Sequence, residues 1–502
     1  MGFTVIFDVG TTAVKTFVYD EQLKVVGSHI SEYTLITGNN STIEMPPDAY
    51  WLGMVGGVQA IAHQRPNVLH SIEAISITTQ GETLIPVDTR GNALCNAIVW
   101  LDGRATAEAD KLDGIFNADT VYPVTGLGGI NAQTPVSKLL NLKNTDPALV
   151  KNTYKFLLLE DYLIHKLTGE FVTEKSLMSS TGYFNINDDT LYSEILDYIE
   201  VEASKIPIIL DCGETVGRLT AEASHAFGIT TRPLVVTAAM DQVASAIGAG
   251  NIASGIVTET TGTALAIAAT LDQPDFSHVS KPTIYRHALA NKFLVFPFCL
   301  TAGIVLKWFK DEFCQLEQTK HKHDMYNVLS RLASTAPIGS NGLLLFPYFS
   351  GILTPYNDSS VKGMFYGITL NTKKPSFVRS IFEGVSYMLR ENIELIEDMH
   401  LDIGKVLSLG GGAKSDVWTQ IKADVLGKDI SVLANNETTS LGAAMLCSVG
   451  AGMVSDVQEF SDINKPVKKF IADTGNHALY ESYYLNYKKM HKVHNLMQDT
   501  FL

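Results

Sequence analysis

Phe7-Asp8-Val9-Gly10-Thr11-Thr12-Ala13, near the start of the chain, and Thr260-Thr261-Gly262-Thr263-Ala264, just past its middle, carry the same chemistry twice. Each reads as a strand, a Gly/Thr turn and a second strand, a β-hairpin whose tip offers backbone N–H groups and hydroxyls. Tips of this composition bind phosphate. Either one alone reads equally well as an ordinary glycine turn. The pair, half a chain apart, points to two related domains that present similar hairpins to one cleft.

Working outward, residues 3–8, 14–19 and 24–30 alternate or run apolar between turn residues and predict an antiparallel meander. Helical periodicity follows over 48–63, then a β-branched strand, Ile72–Thr78, running into Gln80-Gly81-Glu82. Ile98-Val99-Trp100 reads as a short strand, and 155–167 and 176–183 as helices. The stretch 233–250 predicts a buried strand stopping at Asp241 and entering a small-residue helix, which sets the domain junction at 246/247. Beyond it the hairpin Ile256–Thr261 and Leu265–Ala269 is rebuilt, helices follow around 301–316 and 376–399, and Val406–Leu409 leads into Gly410-Gly411-Gly412. A helix over 440–451 and another over 478–495 complete the chain. The expected domains are 1–246 and 247–502, closely packed because no low-complexity linker separates them.

Composition narrows the function. A chain of 502 residues exceeds what one hydrophobic core usually supports, and 46% hydrophobic with 18% charged residues describes a well-packed globular protein. The net charge of −15, with no concentrated basic patch, excludes a nucleic-acid partner. Cys95, Cys212, Cys299, Cys314 and Cys447 form no CxxC pair and are odd in number, which predicts reduced thiols and a cytoplasmic location. No apolar run reaches the ~18 residues of a membrane span, and no signal peptide is expected at the N-terminus.

Asp8 stands at a strand end two residues before Gly10, a place suited to a carboxylate that holds Mg²⁺ beside phosphate oxygens; closing its own turn is the alternative. Lys15, on the following strand, can neutralise a phosphoryl group in transfer. Asp241 ends an apolar strand at the mouth of a sheet and can accept the proton of an attacking hydroxyl, unless it serves only as a helix N-cap. The triple glycine before a helix allows close approach of a phosphorylated or flat ligand. Glu82, Trp100, Asp102, Arg104 and Gln133 combine carboxylates, an aromatic face and an amide, the composition of a pocket for a polyhydroxylated ligand. Neither GxxxxGK[ST] nor GxGxxG occurs, so a P-loop enzyme and a dinucleotide-binding dehydrogenase are not supported.

Taken together, Asp8 to Thr12, Asn96 to Trp100, Asp241-Gln242, Gly262-Thr263, Phe346 to Gly351, Gly363 to Ile368, Gly410 to Ala413 and Leu441 to Ala444 resemble the FGGY carbohydrate kinase family from Phe3 to about Gly452. The resemblance implies an α/β fold of two actin-like, ribonuclease H-like domains around a central cleft, with sugar held mainly by the first and ATP mainly by the second. It implies Asp241 as catalytic base and as metal ligand with Asp8, and Gly81, Glu82, Trp100, Asp102, Gln133 and Gln242 as substrate-binding residues. Thr11, Thr12, Lys15, Gly262, Thr263, Gly303, Lys307, Gly411, Gly412, Ala413 and Asp416 become the ATP-binding set. ATP and Mg²⁺ are the implied cofactors, the partner is a small sugar or polyol, and a homodimer is compatible with the family.

Departures from the family bear on the substrate. Gln80-Gly81-Glu82-Thr83 is closer to the Gln-Arg-Glu-Thr of glycerol kinases, without the arginine, than to the Met-His that follows the glutamine in xylulose kinases. Trp100-Leu101-Asp102-Gly103-Arg104, by contrast, looks like xylulose kinases, while Gln133 replaces a glycerol-kinase tyrosine and Asn141 the tryptophan of the first family signature. The expectation is ATP-dependent phosphorylation of a ketopentose such as xylulose. A glycerol, erythritol or other short-polyol kinase is the alternative, and a non-catalytic sugar sensor or an actin-like chaperone ATPase is the reading from a different class.

Overall fold

In the computed structural model, which describes residues 2–320, 324–358 and 360–501, two sheets are built on one plan. The first half forms β1 (Phe3–Val9), β2 (Ala13–Tyr19), β3 (Val25–Glu32), helix α1 (Pro47–Gln64), β4 (Ile72–Thr79), helices α2 (Pro135–Thr145) and α3 (Leu159–Thr168), β5 (Thr215–Arg218) and β6 (Leu234–Thr237). The strands lie in the order β5-β6-β4-β1-β2-β3, with β1, β4 and β6 mutually parallel and β2 and β3 joined as an antiparallel meander. Helix α4 (Asp241–Gly248) then carries the chain into the second half.

There β7 (Ile256–Thr261), β8 (Leu265–Leu271), β9 (Ile284–Arg286), β10 (Phe293–Val295), helices α5 (Gly303–Phe313) and α6 (Lys374–Asp398), β11 (Lys405–Leu409), helix α7 (Asp416–Leu426), β12 (Ile430–Leu433), helix α8 (Thr438–Gly450), β13 (Pro466–Phe470) and helix α9 (Thr474–Phe501) follow. The sheet order is β9-β10-β8-β7-β11-β12-β13, with β7, β11 and β12 parallel and β8 antiparallel to β7. Both halves thus share an antiparallel hairpin flanked by parallel strands, the duplicated ribonuclease H-like arrangement of actin-like ATPases. The expected fold class is the observed one.

Helices α4 and α8 cross at the floor between the halves. A Cβ on Gly442 would stand 1.9 Å from the Ala244 carbonyl oxygen and one on Gly248 2.0 Å from that of Thr438, so only glycine permits this approach. Hydroxyl pairs fasten the crossing: Ser245 Oγ to Thr438 Oγ1 and Tyr19 Oη to Ser440 Oγ, each at 2.8 Å. The core is continuous across it, because Val243, Ala244 and Ile247 pack in the same cluster as Leu441, Ala443 and Ala444.

Local structure departs from periodicity in three places. In place of the predicted 176–183 helix there is one turn, Lys175–Met178; the Glu174 carboxylate caps its start, and Ser180 and Thr181 turn their hydroxyls back to the Leu177 and Met178 carbonyls to end it. Lys155–Leu158 is a strand paired with Leu84–Val87 before α3 begins, since its apolar side chains complete a small five-stranded sheet. The strand before Asp241 stops at Thr237, leaving Ala238–Met240 as an extended link. Helix α9 packs Tyr480, Tyr484 and Tyr487, all buried, against Tyr387 of the second half.

Candidate active site

The first hairpin tip is built by β1 and β2, whose register sets Asp8 opposite Lys15. Asp8 Oδ2 lies 3.7 Å from Lys15 Nζ, and Lys15 reaches across to Glu437 Oε2 of the other half at 3.1 Å. Asp8 therefore faces Lys15 across the hairpin, and the turn itself is closed by the main chain, Gly10 N–H donating to the Ala13 carbonyl at 3.0 Å. Burial pushes its carboxyl up to about 6 against the pull of Lys15. Tyr33 Oη donates to the Gly10 carbonyl and fixes the tip from behind.

Asp241 is the first residue of α4; the N-cap is Met240, with no side-chain capping bond, so capping does not occupy the Asp241 carboxylate. The approach to it is held by buried acids. Ala238 N–H donates to Glu160 Oε1 at 3.4 Å and Met240 N–H to Ser176 Oγ at 3.0 Å and Glu174 Oε1 at 3.2 Å, while Thr78 Oγ1 donates to the Ala239 carbonyl at 2.7 Å. Burial, then the charges of Asp8 and Glu82, push the Asp241 carboxyl up to about 7, with Gln242 beside it acting the other way. Three carboxylates from three segments of the first half thus converge.

Glu82 follows β4 with φ +59°, an unusual backbone for a residue with a side chain. Lys138 of α2, without exposed surface, accounts for it: its Nζ donates to the carbonyls of Glu82 at 2.8 Å and of Val99 at 3.0 Å. Burial raises the Glu82 carboxyl and lowers the Lys138 ammonium, and each partly offsets the other's shift. The same lysine holds the turn that leads to Trp100. Trp100 Nε1 donates to Thr11 Oγ1 at 2.9 Å, and Thr11 Oγ1 donates to Gln80 Oε1 at 2.8 Å. Gly81 lies against Met240, whose Sδ would be 3.0 Å from a Cβ there. Trp100, Thr11 and Gln80 thus form one hydrogen-bonded wall, tied through Lys138 to the turn at Glu82, whose charge acts on Asp241.

From the other half, the tip at Gly262 and Thr263 is joined to the start of α5. Gly303 N–H donates to the Gly262 carbonyl at 2.8 Å, and a Cβ on Gly303 would stand 2.3 Å from that oxygen. Gly411 is exposed beside buried Gly412 and Ala413, at the end of β11. Thr12 and Thr263 are exposed at the two tips.

Other residues singled out from sequence have surroundings of their own. Asp102 has no exposed surface; it accepts from Arg104 Nη2 at 2.8 Å and from the Ile43 amide at 2.6 Å, so its carboxylate is turned into the protein because Arg104 folds back onto it. Lys307 is exposed and pairs with Asp311 at 2.7 Å, one turn along α5. Asp416 pairs with Lys468 at 2.7 Å. Such exposed pairs are weak and exchange readily for a ligand. Gln133 is half-buried on the loop before α2. Sequence reasoning missed Lys138, Glu437 and Tyr285. The last lies on β9 of the second half, yet burial and the charges of Glu82 and Asp241 hold its phenol far above the ordinary range, so it lies within reach of their charge. A lysine within an apolar helix, Val136-Ser137-Lys138-Leu139-Leu140, was the one legible signal.

The donor set suits a hard cation shared with phosphate. Among the described residues no group of three or more His, Cys, Asp or Glu is arranged to hold a metal by itself, and Mg²⁺ bound through one or two carboxylates plus phosphate oxygens needs none. Asp8 and Asp241, both raised by burial and by neighbouring negative charge, are the carboxylates that a cation would relieve.

Fold and site define a two-domain kinase of the duplicated actin-like class. Residues 3–248 match the N-terminal domain, and residues 256–451 the C-terminal domain, of the FGGY family of carbohydrate kinases, and the chain belongs to that family. It is accordingly a sugar kinase with ATP as phosphate donor. It is 27% identical to the xylulose kinase of Staphylococcus xylosus, over 92% of this chain and 94% of that one. To the gluconokinase of Bacillus licheniformis it is 29% identical, over 96% and 93%, and to the glycerol kinase of Enterococcus casseliflavus 28%, over 93% and 92%. The solved structure of a ligand-bound xylulose kinase from Lactobacillus acidophilus superposes with a TM-score of 0.92 at 25% identity, with both chains fully covered. Among the described residues no helix is long and apolar enough to cross a membrane.

Proposed function

We propose that this sugar kinase phosphorylates a hydroxyl of a neutral ketopentose such as xylulose, with Asp241 as general base. The observation that carries the reading is the convergence of Asp241, Asp8 and Glu82 beside Trp100 and Thr11. A carboxyl at about 7 is poised to take a proton near neutral pH. Asp241 accepts the proton of the substrate hydroxyl, whose oxygen bonds to the γ-phosphorus of ATP as the bond from that phosphorus to the β–γ bridging oxygen breaks and ADP leaves. Asp8 and Asp241 are the residues that would hold Mg²⁺, which supplies neutralisation of phosphate charge when bound.

Glu82 accepts hydrogen bonds from sugar hydroxyls and Trp100 offers a ring face to the carbon skeleton, with Gly81, Gln133 and Gln242 along the same wall. Thr12, Thr263, Lys15, Gly262, Gly303 and Gly411 to Ala413 hold the phosphates and nucleotide, and residues 1–246 and 247–502 divide sugar from ATP. An acidic floor opposes a sugar acid, which is the argument for a ketose over gluconate despite the resemblance to gluconokinases. Glu82 and Thr83 after Gln80 are the feature that favours a short polyol as the second reading. The proposed setting is cytoplasmic.

The test is ADP release with ATP and Mg²⁺ against xylulose, ribulose, fuculose, gluconate, glycerol and erythritol, beside a no-sugar control. A ketopentose raising turnover far above the others is the expected result. Preference for gluconate, or a response to glycerol or erythritol without any to ketoses, refutes it.

A further inference from the structure

Behind the second hairpin tip lies a closed polar group that the chemistry above does not use. Glu259 and Lys422 have no exposed side-chain surface, and Lys422 Nζ lies 2.7 Å from Glu259 Oε1. The same Nζ donates to Thr261 Oγ1 at 2.7 Å, and Thr261 Oγ1 donates on to Glu259 Oε2, also at 2.7 Å. Ser408 Oγ donates to Glu259 Oε1. The group joins two of the elements proposed to face the nucleotide to the helix behind them: Glu259 and Thr261 stand in the last half of β7, which runs into Gly262-Thr263, Ser408 stands on β11 just before the triple glycine, and Lys422 comes from α7, which Asp416 begins.

The main chain does not join these elements where the nucleotide would lie. The β7–β11 ladder pairs Glu259 with Ser408 and Thr260 with Leu409, and stops there. Past that point no ladder bond joins the tip to the glycine turn, which instead packs closely on Thr261: a Cβ on Gly410 would stand 3.0 Å from the Thr261 carbonyl oxygen, and one on Gly412 2.7 Å from Thr261 Cβ and 3.4 Å from Lys422 Nζ. Stability is a poor reason for a dry ion pair in this place, because apolar residues of similar volume usually hold a core as well or better. What apolar side chains lack is direction. Two charged groups and two hydroxyls with fixed partners allow one separation of the strand ends.

We propose that Glu259 and Lys422 are positioning residues that hold the Gly262-Thr263 tip and the Gly410–Gly412 turn in register for ATP, without touching it. This rests on the assignment of those two elements to the nucleotide. Removing one charge alone would strand the other in the core, so the informative variant is the neutral pair Glu259→Gln/Lys422→Met, with Thr261→Val as a milder cut of the same network. ATP affinity of the full-length protein by calorimetry, KM for ATP, KM for sugar and the melting temperature are measured together.

Both variants are expected to bind ATP about tenfold more weakly, with KM for sugar within about twofold of wild type and the melting temperature of the double variant nearly unchanged. A purely structural role would lower the melting temperature and leave ATP affinity alone. ATP affinity within twofold of wild type in Thr261→Val and in the folded double variant overturns the proposal; if the double variant does not fold, Thr261→Val decides. A rise in KM for sugar in both variants, with ATP affinity unchanged, overturns the assignment of these two elements to the nucleotide itself.

Discussion

Replacing Asp241 by Asn separates the chemistry of the site from its cost to the fold. The substitution keeps shape and removes a carboxylate that burial and the charges of Asp8 and Glu82 have pushed from 3.8 to about 7. Turnover should fall by at least about 10²-fold, the scale of a general base, with sugar and ATP affinity nearly retained. Stability should move the other way. Below the unfolded pKa both states hold the proton and the group contributes nothing; between 3.8 and about 7 only the folded chain holds it, so stability falls as pH rises through that window and the full cost remains above it. A shift of this size corresponds to at most about 4 kcal/mol. Part of it is repulsion shared with Asp8 and Glu82, which relax when Asp241 is neutral, so a gain of about 1–2 kcal/mol, a few degrees in melting temperature, is expected at pH 8 and much less at pH 5. Thermal melts at both pH values, with coupled-assay kinetics, test both limbs. Turnover within tenfold of wild type would refute the base assignment, and a gain no larger at pH 8 than at pH 5 would refute the electrostatic account.

Asp8→Asn removes the largest charge acting on Asp241, so the acid limb of the kcat/KM profile should move below pH 7 while kcat falls; a limb that stays or rises contradicts the coupling. Thr11→Val cuts the bridge from Trp100 to Gln80 and should raise KM for sugar about tenfold with KM for ATP little changed, as for loss of two partly buried hydrogen bonds; steady-state kinetics showing the reverse split would return Thr11 to the phosphates. Gly303→Ala sets a methyl 2.3 Å from the Gly262 carbonyl and should raise KM for ATP at least about tenfold by displacing the tip, while sugar-induced quenching of Trp fluorescence is unchanged. Equal loss of both affinities would mean that the damage spreads beyond the nucleotide side.

The two hairpins, their strand boundaries and the strand before the triple glycine were legible because period-2 apolar runs and Gly/Thr turns are local signals. Asp241 stood out for the same reason, as an ionisable residue ending an apolar run. Helix extents around 176–183 and 155–167 were misread where a neighbouring segment decided the outcome: Glu174 capping one, and the Leu84–Val87 strand capturing the start of the other. Asp102 looked like a pocket residue because its segment is polar and follows Trp100; that Arg104 turns it inward depends on a backbone reversal that composition does not encode.

By itself, then, the sequence determined a duplicated α/β architecture, two phosphate-type tips, a candidate base and the family resemblance, since each rests on residues close in the chain. Tertiary structure alone decided which groups meet. Lys138 reaches Glu82 from a helix more than fifty residues away, Tyr285 and Glu437 approach the first half's carboxylates from the second, and Lys422 closes on Glu259 between two strand ends. The physical reason is that charge and hydrogen-bond energies depend on distance in space and on the local exclusion of water, neither of which is a property of position along the chain.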